Sequence, residues 1–217
     1  MNARFFCWVS LVMFLSLPGR GNVPTGGWGQ AHNAYLVCFD TVFQGRSPSI
    51  IDLLDALVQN CQYPAPDYAE FMTNYSLLAE STLSNLEMGG LSAVIAPYKR
   101  RLGPLHQDYL TKIEMILDNS LDFNLAYQQL EVLYQDAQQR FCTNTKSDIA
   151  VLAAIDIAAN STLYWGPKDA TTPSPLKSKW WQVVVADVAG GVVGGLFGGG
   201  VGAVGLGSAC SGYVAGL

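Results

Sequence analysis

The sequence predicts an all-α protein: a helical bundle of about six helices followed by a C-terminal glycine-zipper helix or helical hairpin. Apolar residues recur at spacings of three and four along most of the chain, and no long segment alternates with a period of two. Residues 145–164 are apolar on nearly every side and rich in alanine, which is typical of a buried helix. The last thirty residues contain 12 glycines, 16 other apolar residues, two serines and no charge.

The N-terminal residues 1–21 have the organisation of an export signal. Arg4 supplies a positive charge, residues 5–17 are apolar, and a Pro-Gly pair ends this segment. The apolar segment is short for a membrane span, and Gly19 and Gly21 are small residues at −3 and −1 of a cleavage site. We therefore expect export, with an uncleaved anchor or a buried N-terminal helix as the alternatives.

Residues 22–165 form the predicted bundle. The turn-rich residues 22–30 are expected to be a loop. Ser47-Pro48 has the order of an N-cap followed by proline at the first helical position, and Gly89-Gly90 interrupts a helical pattern. The predicted helices cover residues 31–43, 48–59, 67–79, 81–87, 104–119, 122–140 and 145–164.

Four cysteines remain once the leader is removed, and an even number permits two disulfides in an exported chain. They are Cys38, Cys61, Cys142 and Cys210. Cys38 lies in the first predicted helix and Cys61 follows the second, so an antiparallel helix pair could join them if their Cα atoms lie within about 7 Å. Other pairings and free buried cysteines stay open as alternatives.

A predicted linker, residues 166–179, contains three prolines and separates the bundle from a tail of residues 180–217. In the tail, one row of glycines recurs every four residues and a second row lies beside it. A spacing of four places residues on one helix face, so the rows form a flat groove that another helix can approach closely. The first row is Gly190, Gly194, Gly198 and Gly202, and the second is Gly191, Gly195 and Gly199.

Three consecutive glycines, residues 198–200, are the weakest helical point of the tail, because each costs about 1 kcal/mol of helix propensity relative to alanine. We expect a break there and a hairpin of residues 179–197 against 201–214. The alternative is one helix of about 27 residues, about 40 Å long and able to cross a bilayer. A flexible low-complexity end is a third alternative, although such linkers carry polar residues in place of Val, Leu and Phe.

Two tryptophans, Trp180 and Trp181, begin the tail next to Lys177 and Lys179. Lysine and tryptophan at the edge of an apolar segment are typical of an anchor at a membrane surface. Packing of these tryptophans against the bundle is an equal alternative.

The polar residues form no recognisable catalytic constellation, with no P-loop and no serine nucleophile motif. The net charge of −5, with residues 99–101 as the one basic run, argues against nucleic acid as a partner. Two histidines and no C-x-x-C pair argue against a metal site. We therefore expect no enzymatic activity, no cofactor and no metal. The pair His32-Asn33 is predicted to cap and hydrogen-bond a helix start.

Three short motifs frame most of the chain. They are G-x-x-H-N-x-x-L at residues 29–36, A-x-x-S-x-x-Y-W at 158–165, and Trp-Trp followed by A-D-x-x-G at 180–190. In this order the motifs resemble a group of uncharacterised bacterial small helical proteins. The resemblance implies a helical bundle with a glycine-zipper tail, and it implies no activity.

The sequence therefore favours a non-enzymatic exported protein whose tail associates with membrane lipid or with itself, as an anchor or as a toxin-like, bacteriocin-like segment. The alternative is a helical binding module or small hydrolase that the tail tethers. Vesicle leakage caused by the tail would favour the first interpretation, and a ligand that raises the melting temperature of the body would favour the second.

Overall fold

The computed structural model describes residues 27–120, 122–171 and 180–217; the predicted leader and most of the predicted linker lie outside these residues. All regular elements in the described part of the chain are helical, which confirms the all-α class. They are α1 (Trp28–Phe43), α2 (Ile50–Gln59), α3 (Tyr68–Ile95), a 3-10 helix (Ala96–Tyr98), α4 (Pro104–Asn119), α5 (Phe123–Arg140), α6 (Lys146–Thr171) and α7 (Trp180–Ala215).

Two helix starts differ from the sequence prediction because side chains cap other positions. Helix α1 begins at Trp28, inside the predicted loop, since the N–H of Gly29 donates to the Asp156 carboxylate at 2.9 Å. Helix α2 begins at Ile50, and its N-cap is Ser49 instead of Ser47. The Ser49 hydroxyl accepts from the N–H of Asp52 while the Asp52 carboxylate accepts from the N–H of Ser49, a reciprocal capping box.

Helix α3 joins two segments that the sequence analysis treated as separate helices. It runs from Tyr68 to Ile95 and is kinked at the glycine pair that interrupts the pattern. Gly90 has φ of 66°, a conformation that only glycine adopts without strain, so the chain continues helically on both sides of a local break.

Helix α6 continues beyond its predicted end at residue 164 and includes the first six residues of the predicted linker. Pro167 lies inside the helix. A proline inside a helix removes a backbone hydrogen bond and crowds the carbonyl four residues earlier, so the neighbouring contacts must support the helix here. Trp165 is buried, and Gly166 lies against the ring of Phe123 on α5.

Helix α7 reverses direction at Gly199, whose φ of 66° and ψ of −154° interrupt the helix. The break separates two arms, residues 180–198 (α7a) and residues 200–215 (α7b). The arms are antiparallel, because the backbone near Gly194 approaches Gly202 and the backbone near Gly190 approaches Leu206. The reversal falls within the glycine triplet, and α7 is a hairpin instead of one straight helix.

The α7 hairpin lies at the centre of the bundle. It packs most extensively against α6 and also contacts α1, α2, α3 and α4. The predicted division into a bundle of residues 22–165 and a separate tail of residues 180–217 therefore does not correspond to two packing units. The physical reason is burial: apolar residues from both arms join the same core cluster as the helices around them.

A disulfide joins α1 to the segment that follows α2. Cys38 and Cys61 have Cα atoms 5.9 Å apart, within the limit that the sequence analysis set. Cys210 on α7b is a free, buried cysteine.

Candidate functional site

The first glycine row lies at the contact between the two arms of the hairpin. A Cβ on Gly194 would overlap the carbonyl oxygen of Gly202, and a Cβ on Gly202 would overlap the carbonyl oxygen of Gly194. A Cβ on Gly190 would lie 2.5 Å from the carbonyl oxygen of Leu206. Because the opposing atoms belong to the backbone, no side-chain rotation can make room. These three positions require glycine for the observed approach.

Gly198, the remaining residue of this row, lies at the exposed turn of the hairpin. A Cβ there would meet the hydroxyl of Tyr75 on α3 instead of the opposite arm. The close contact between the arms is therefore built by Gly190, Gly194 and Gly202, and Gly198 contacts the surrounding bundle.

The second row of glycines faces α6. A Cβ on Gly195 would lie 2.7 Å from the Cα of Ala150. Gly191 has more room, since the nearest atom to a Cβ there is Cδ1 of Ile157 at 3.3 Å. The two rows thus serve two neighbours: one lets the arms meet, and the other lets α7a lie against α6.

The tryptophans at the start of α7 pack on the bundle. Trp180 is buried, Trp181 is partly buried, and both contact the main core cluster. The lysines predicted to flank them lie outside the described residues. This arrangement matches the packing alternative for the tryptophans and not the membrane-surface anchor.

A buried polar cluster attaches the hairpin to α1 and α6. Asp187 of α7a accepts from His32 Nε2, with Oδ1 at 2.6 Å, and its Oδ2 accepts from the hydroxyl of Ser161. All three side chains are fully buried. Asp187 is the one charged residue of α7, and its two hydrogen bonds are a buried polar link between the hairpin and the surrounding helices.

A second layer of hydrogen bonds supports this cluster. His32 Nδ1 lies 3.1 Å from the side-chain oxygen of Asn33, and the side-chain amide of Asn33 donates to the carbonyl of Asn160 at 3.0 Å. Asn160 in turn donates to the Asp156 carboxylate, which receives the N–H of Gly29. The polar residues of the three short sequence motifs therefore meet at one place, although they are distant along the chain.

The geometry of this cluster does not suit nucleophilic catalysis. In a Ser-His-Asp triad the histidine lies between the serine and the carboxylate, but here Ser161 and His32 contact the two oxygens of the same Asp187 carboxylate, so no histidine is placed to take the serine proton. The cluster is also closed to solvent. Within the described ranges, no group of three His, Cys, Asp or Glu side chains is placed to hold a metal ion.

In the described part of the chain, two helices satisfy the length and composition criteria for crossing a membrane: residues Lys146–Lys168 of α6, and α7, which is folded into a hairpin. Most of each candidate span is buried inside the bundle. The core helices of soluble proteins can satisfy the same criteria, so length and composition alone support only a weak link to membranes.

No protein-family model matches the chain, and no curated protein or solved structure matches it either.

Proposed function

We propose that this chain is a non-enzymatic, exported protein that acts at membranes by transferring the α7 hairpin from the bundle into a bilayer. The observation that carries the proposal is the hairpin itself: an apolar helix pair with one charged residue, held in the centre of a bundle. The surrounding helices keep it soluble before it reaches a membrane. Delivery of such a hairpin to another cell would be a toxin-like action.

The arms of the hairpin are slightly shorter than the hydrocarbon core of a bilayer, a mismatch that local thinning of the bilayer accommodates. At 1.5 Å per residue, the 19 residues of α7a span about 28 Å and the 16 residues of α7b about 24 Å. The hydrocarbon core of a bilayer is about 30 Å thick. The pair would cross with its turn near the far face.

The contacts between the arms support transfer of the hairpin as a unit. Gly190, Gly194 and Gly202 meet the backbone of the opposite arm, and these contacts do not depend on the surrounding helices. Small residues at a helix contact also favour association in lipid, where apolar burial supplies no driving force. By contrast, Gly195 faces α6 and would lose its neighbour on transfer.

Asp187 opposes insertion and holds the hairpin in the bundle. In the bundle it has His32 and Ser161 as partners, whereas a charged carboxylate at the centre of a bilayer costs about 3 kcal/mol on insertion scales. The apolar remainder of the hairpin offsets this cost. The cluster therefore favours the soluble form until contact with lipid shifts the balance.

A reversible cross-link between α7a and α6 tests the proposal. A Cβ on Gly191 would lie 3.8 Å from the Cα of Ala154, so the pair Ala154→Cys and Gly191→Cys is placed to form a disulfide. The full-length wild type should release dye from lipid vesicles. The oxidised double variant should not, and reduction should restore release.

Two controls make the result specific. The wild type is measured under oxidising and reducing conditions, because reduction also opens the Cys38–Cys61 disulfide. The single variant Gly191→Cys reports the effect of the substitution alone. Equal dye release by the oxidised and reduced double variants, once mass spectrometry has verified the cross-link, would contradict insertion of α7.

The alternative function, a binding module, has one observation in its favour. An open apolar groove lies between α4 and α5, and its side chains Met115, Leu125 and Val132 are exposed. A ligand that fills it should raise the melting temperature of the wild type and not that of a Val132→Asp variant. The hydrolase form of this alternative has no such support, because Ser161 does not contact a histidine and the cluster is closed to solvent.

A further inference from the structure

The turn of the α7 hairpin lies beside the one basic run of the chain. Arg101 stacks its guanidinium over the ring of Phe197, with 4.9 Å between the guanidinium carbon and the ring centroid. Lys146, at the start of α6, donates to the carbonyl of Phe197 at 2.5 Å. Lys99 and Arg100 are exposed and directly precede Arg101. Two cations therefore contact the point where the hairpin reverses, and two more adjoin Arg101 along the chain.

Aromatic side chains occupy the same end of the molecule. Phe197 is 38% exposed, and the ring of Tyr98 lies 6.0 Å from it. Around the turn, Trp28 packs against Gly200, and Tyr63 donates from its hydroxyl to the carbonyl of Val201 at 3.2 Å. We call the exposed and partly exposed aromatic and basic residues at this end the tip surface: Trp28, Tyr75, Tyr98, Lys99, Arg100, Arg101, Lys146 and Phe197.

The cations of the tip surface differ from three of the four other cations in the described residues, which form ion pairs with carboxylates. Lys112 and Lys168 each form an ion pair with a carboxylate, those of Asp108 and Asp40. In the described part of the chain, none of the four tip cations forms such a pair. The chain carries a net charge of −5, so an unpaired cluster of four positive charges is a local exception.

We propose that the tip surface is the docking face of the folded protein for a bilayer that contains anionic lipid. Unpaired Lys and Arg residues attract the negative leaflet surface, and aromatic rings favour the level of the headgroups. The basic residues alone would suit an acidic protein as well. The exposed aromatic ring and the apolar turn, which lie among these cations, favour lipid as the partner.

This inference rests on the proposed function and adds which end of the folded protein first contacts the bilayer. Docking by the tip surface places the turn of the hairpin against the headgroups before any helix leaves the bundle. The turn is then the first part of α7 to enter the bilayer. Docking itself needs only the folded surface, so it can be tested separately from insertion.

The test is flotation of the full-length protein with two kinds of vesicle, one of neutral phosphatidylcholine and one that also contains phosphatidylserine. The tip variant carries Lys99→Gln, Arg100→Gln and Arg101→Gln. Each basic residue near an anionic surface contributes about fivefold in affinity, so the three changes should weaken binding to the anionic vesicles on the order of a hundredfold. Added salt should weaken binding of the wild type in the same direction.

A matched control removes three positive charges elsewhere, with Arg46→Gln, Lys112→Gln and Lys168→Gln. Arg46 follows the end of α1 opposite Trp28, and Lys168 is 22 residues from Lys146 along α6, about 33 Å at 1.5 Å per residue. This variant should float with the anionic vesicles nearly as well as the wild type. Circular dichroism verifies that both triple variants are folded.

The oxidised Ala154→Cys/Gly191→Cys protein separates docking from insertion. It should float with anionic vesicles without releasing dye, since its tip surface is unchanged. Dye release that continues in the tip variant at wild-type level would overturn the docking face and leave insertion standing. If both triple variants bind anionic vesicles equally weakly, net charge alone explains the binding. If the wild type floats equally well with neutral vesicles, anionic lipid is not required. Either outcome overturns the inference.

Discussion

Alanine at two neighbouring glycines of α7a should have opposite effects on stability. Gly191 and Gly194 are both buried on the same arm, and each substitution gains about 1 kcal/mol of helix propensity. At Gly194 the new methyl group would overlap the Gly202 carbonyl oxygen, so the arms must separate. Overpacking of this kind costs about 1–3 kcal/mol, and the upper part of that range applies because backbone meets backbone.

At Gly191 the nearest atom to the new methyl group is the terminal carbon of Ile157, at 3.3 Å, which can move by a side-chain rotation. We expect the free energy of unfolding of Gly194→Ala to fall by about 2 kcal/mol, and that of Gly191→Ala to stay equal or rise by up to about 1 kcal/mol. For a chain of this size, a loss of 2 kcal/mol lowers the melting temperature by about 4–8 °C.

The assay is denaturant unfolding followed by circular dichroism, with thermal unfolding as a second measure. The slope of the transition should stay the same in both variants, because the folded surface is unchanged. If Gly194→Ala is as stable as Gly191→Ala, the close approach of the arms does not hold the hairpin, and the reasoning about the first glycine row is wrong.

Three further predictions concern the stability of the folded bundle. The double variant Cys38→Ser/Cys61→Ser should lose about 3 kcal/mol in chemical denaturation, since the disulfide closes a loop with a sequence separation of 23. His32→Leu should lose about 3–5 kcal/mol by leaving the buried Asp187 carboxylate without this hydrogen-bond donor, whereas His32→Leu with Asp187→Leu should lose less, as a double-mutant cycle would measure. Burial raises the pKa of Tyr134 from 10.0 to about 12. The stability that this shift contributes is therefore complete below pH 10 and is lost as the pH rises towards about 12. Between these pH values, the free energy of unfolding of the Tyr134→Phe variant should depend less on pH than that of the wild type.

Local patterns in the sequence predict the helices well because each amphipathic stripe corresponds to a buried face. The periodic residues Leu110, Ile113 and Leu117 of α4 are all buried as expected. Helix ends are less predictable, since side-chain caps compete over one or two residues. The choice of Ser49 over Ser47 depends on Asp52 reaching back to it, and both serines fit the pattern of an N-cap.

The position of α7 could not be derived from composition, because an apolar glycine-rich hairpin packs equally well in a bundle core or in lipid. Sequence reasoning also gave no role to Asp187 or Ser161. One signal was present: Asp187 is the single charge in a long apolar segment, and a charge in such a place needs a partner. That the partner is His32, 155 residues away, depends on tertiary contacts that no local pattern encodes.

The helices that pack against the glycine rows are likewise not predictable from a local pattern. Their spacing predicts a face for close approach, and the structure places close contacts at both rows. The spacing does not identify which helix lies against each row. The first row meets the other arm of its own hairpin, so self-association with a second copy would require the bundle to open.

The central claim, that the hairpin crosses a bilayer, is tested most directly by labelling its turn from the far side. The variant Phe197→Cys with Cys210→Ala places one reactive thiol at the turn and removes the free buried cysteine. A membrane-impermeant maleimide, coupled to a polymer too large to leave with the dye, is trapped inside vesicles before protein is added outside. The matched control, Arg46→Cys with Cys210→Ala, carries its thiol at the opposite end of the bundle. We predict that the trapped reagent labels residue 197 and not residue 46; labelling of residue 197 only by reagent added outside would contradict insertion of the hairpin.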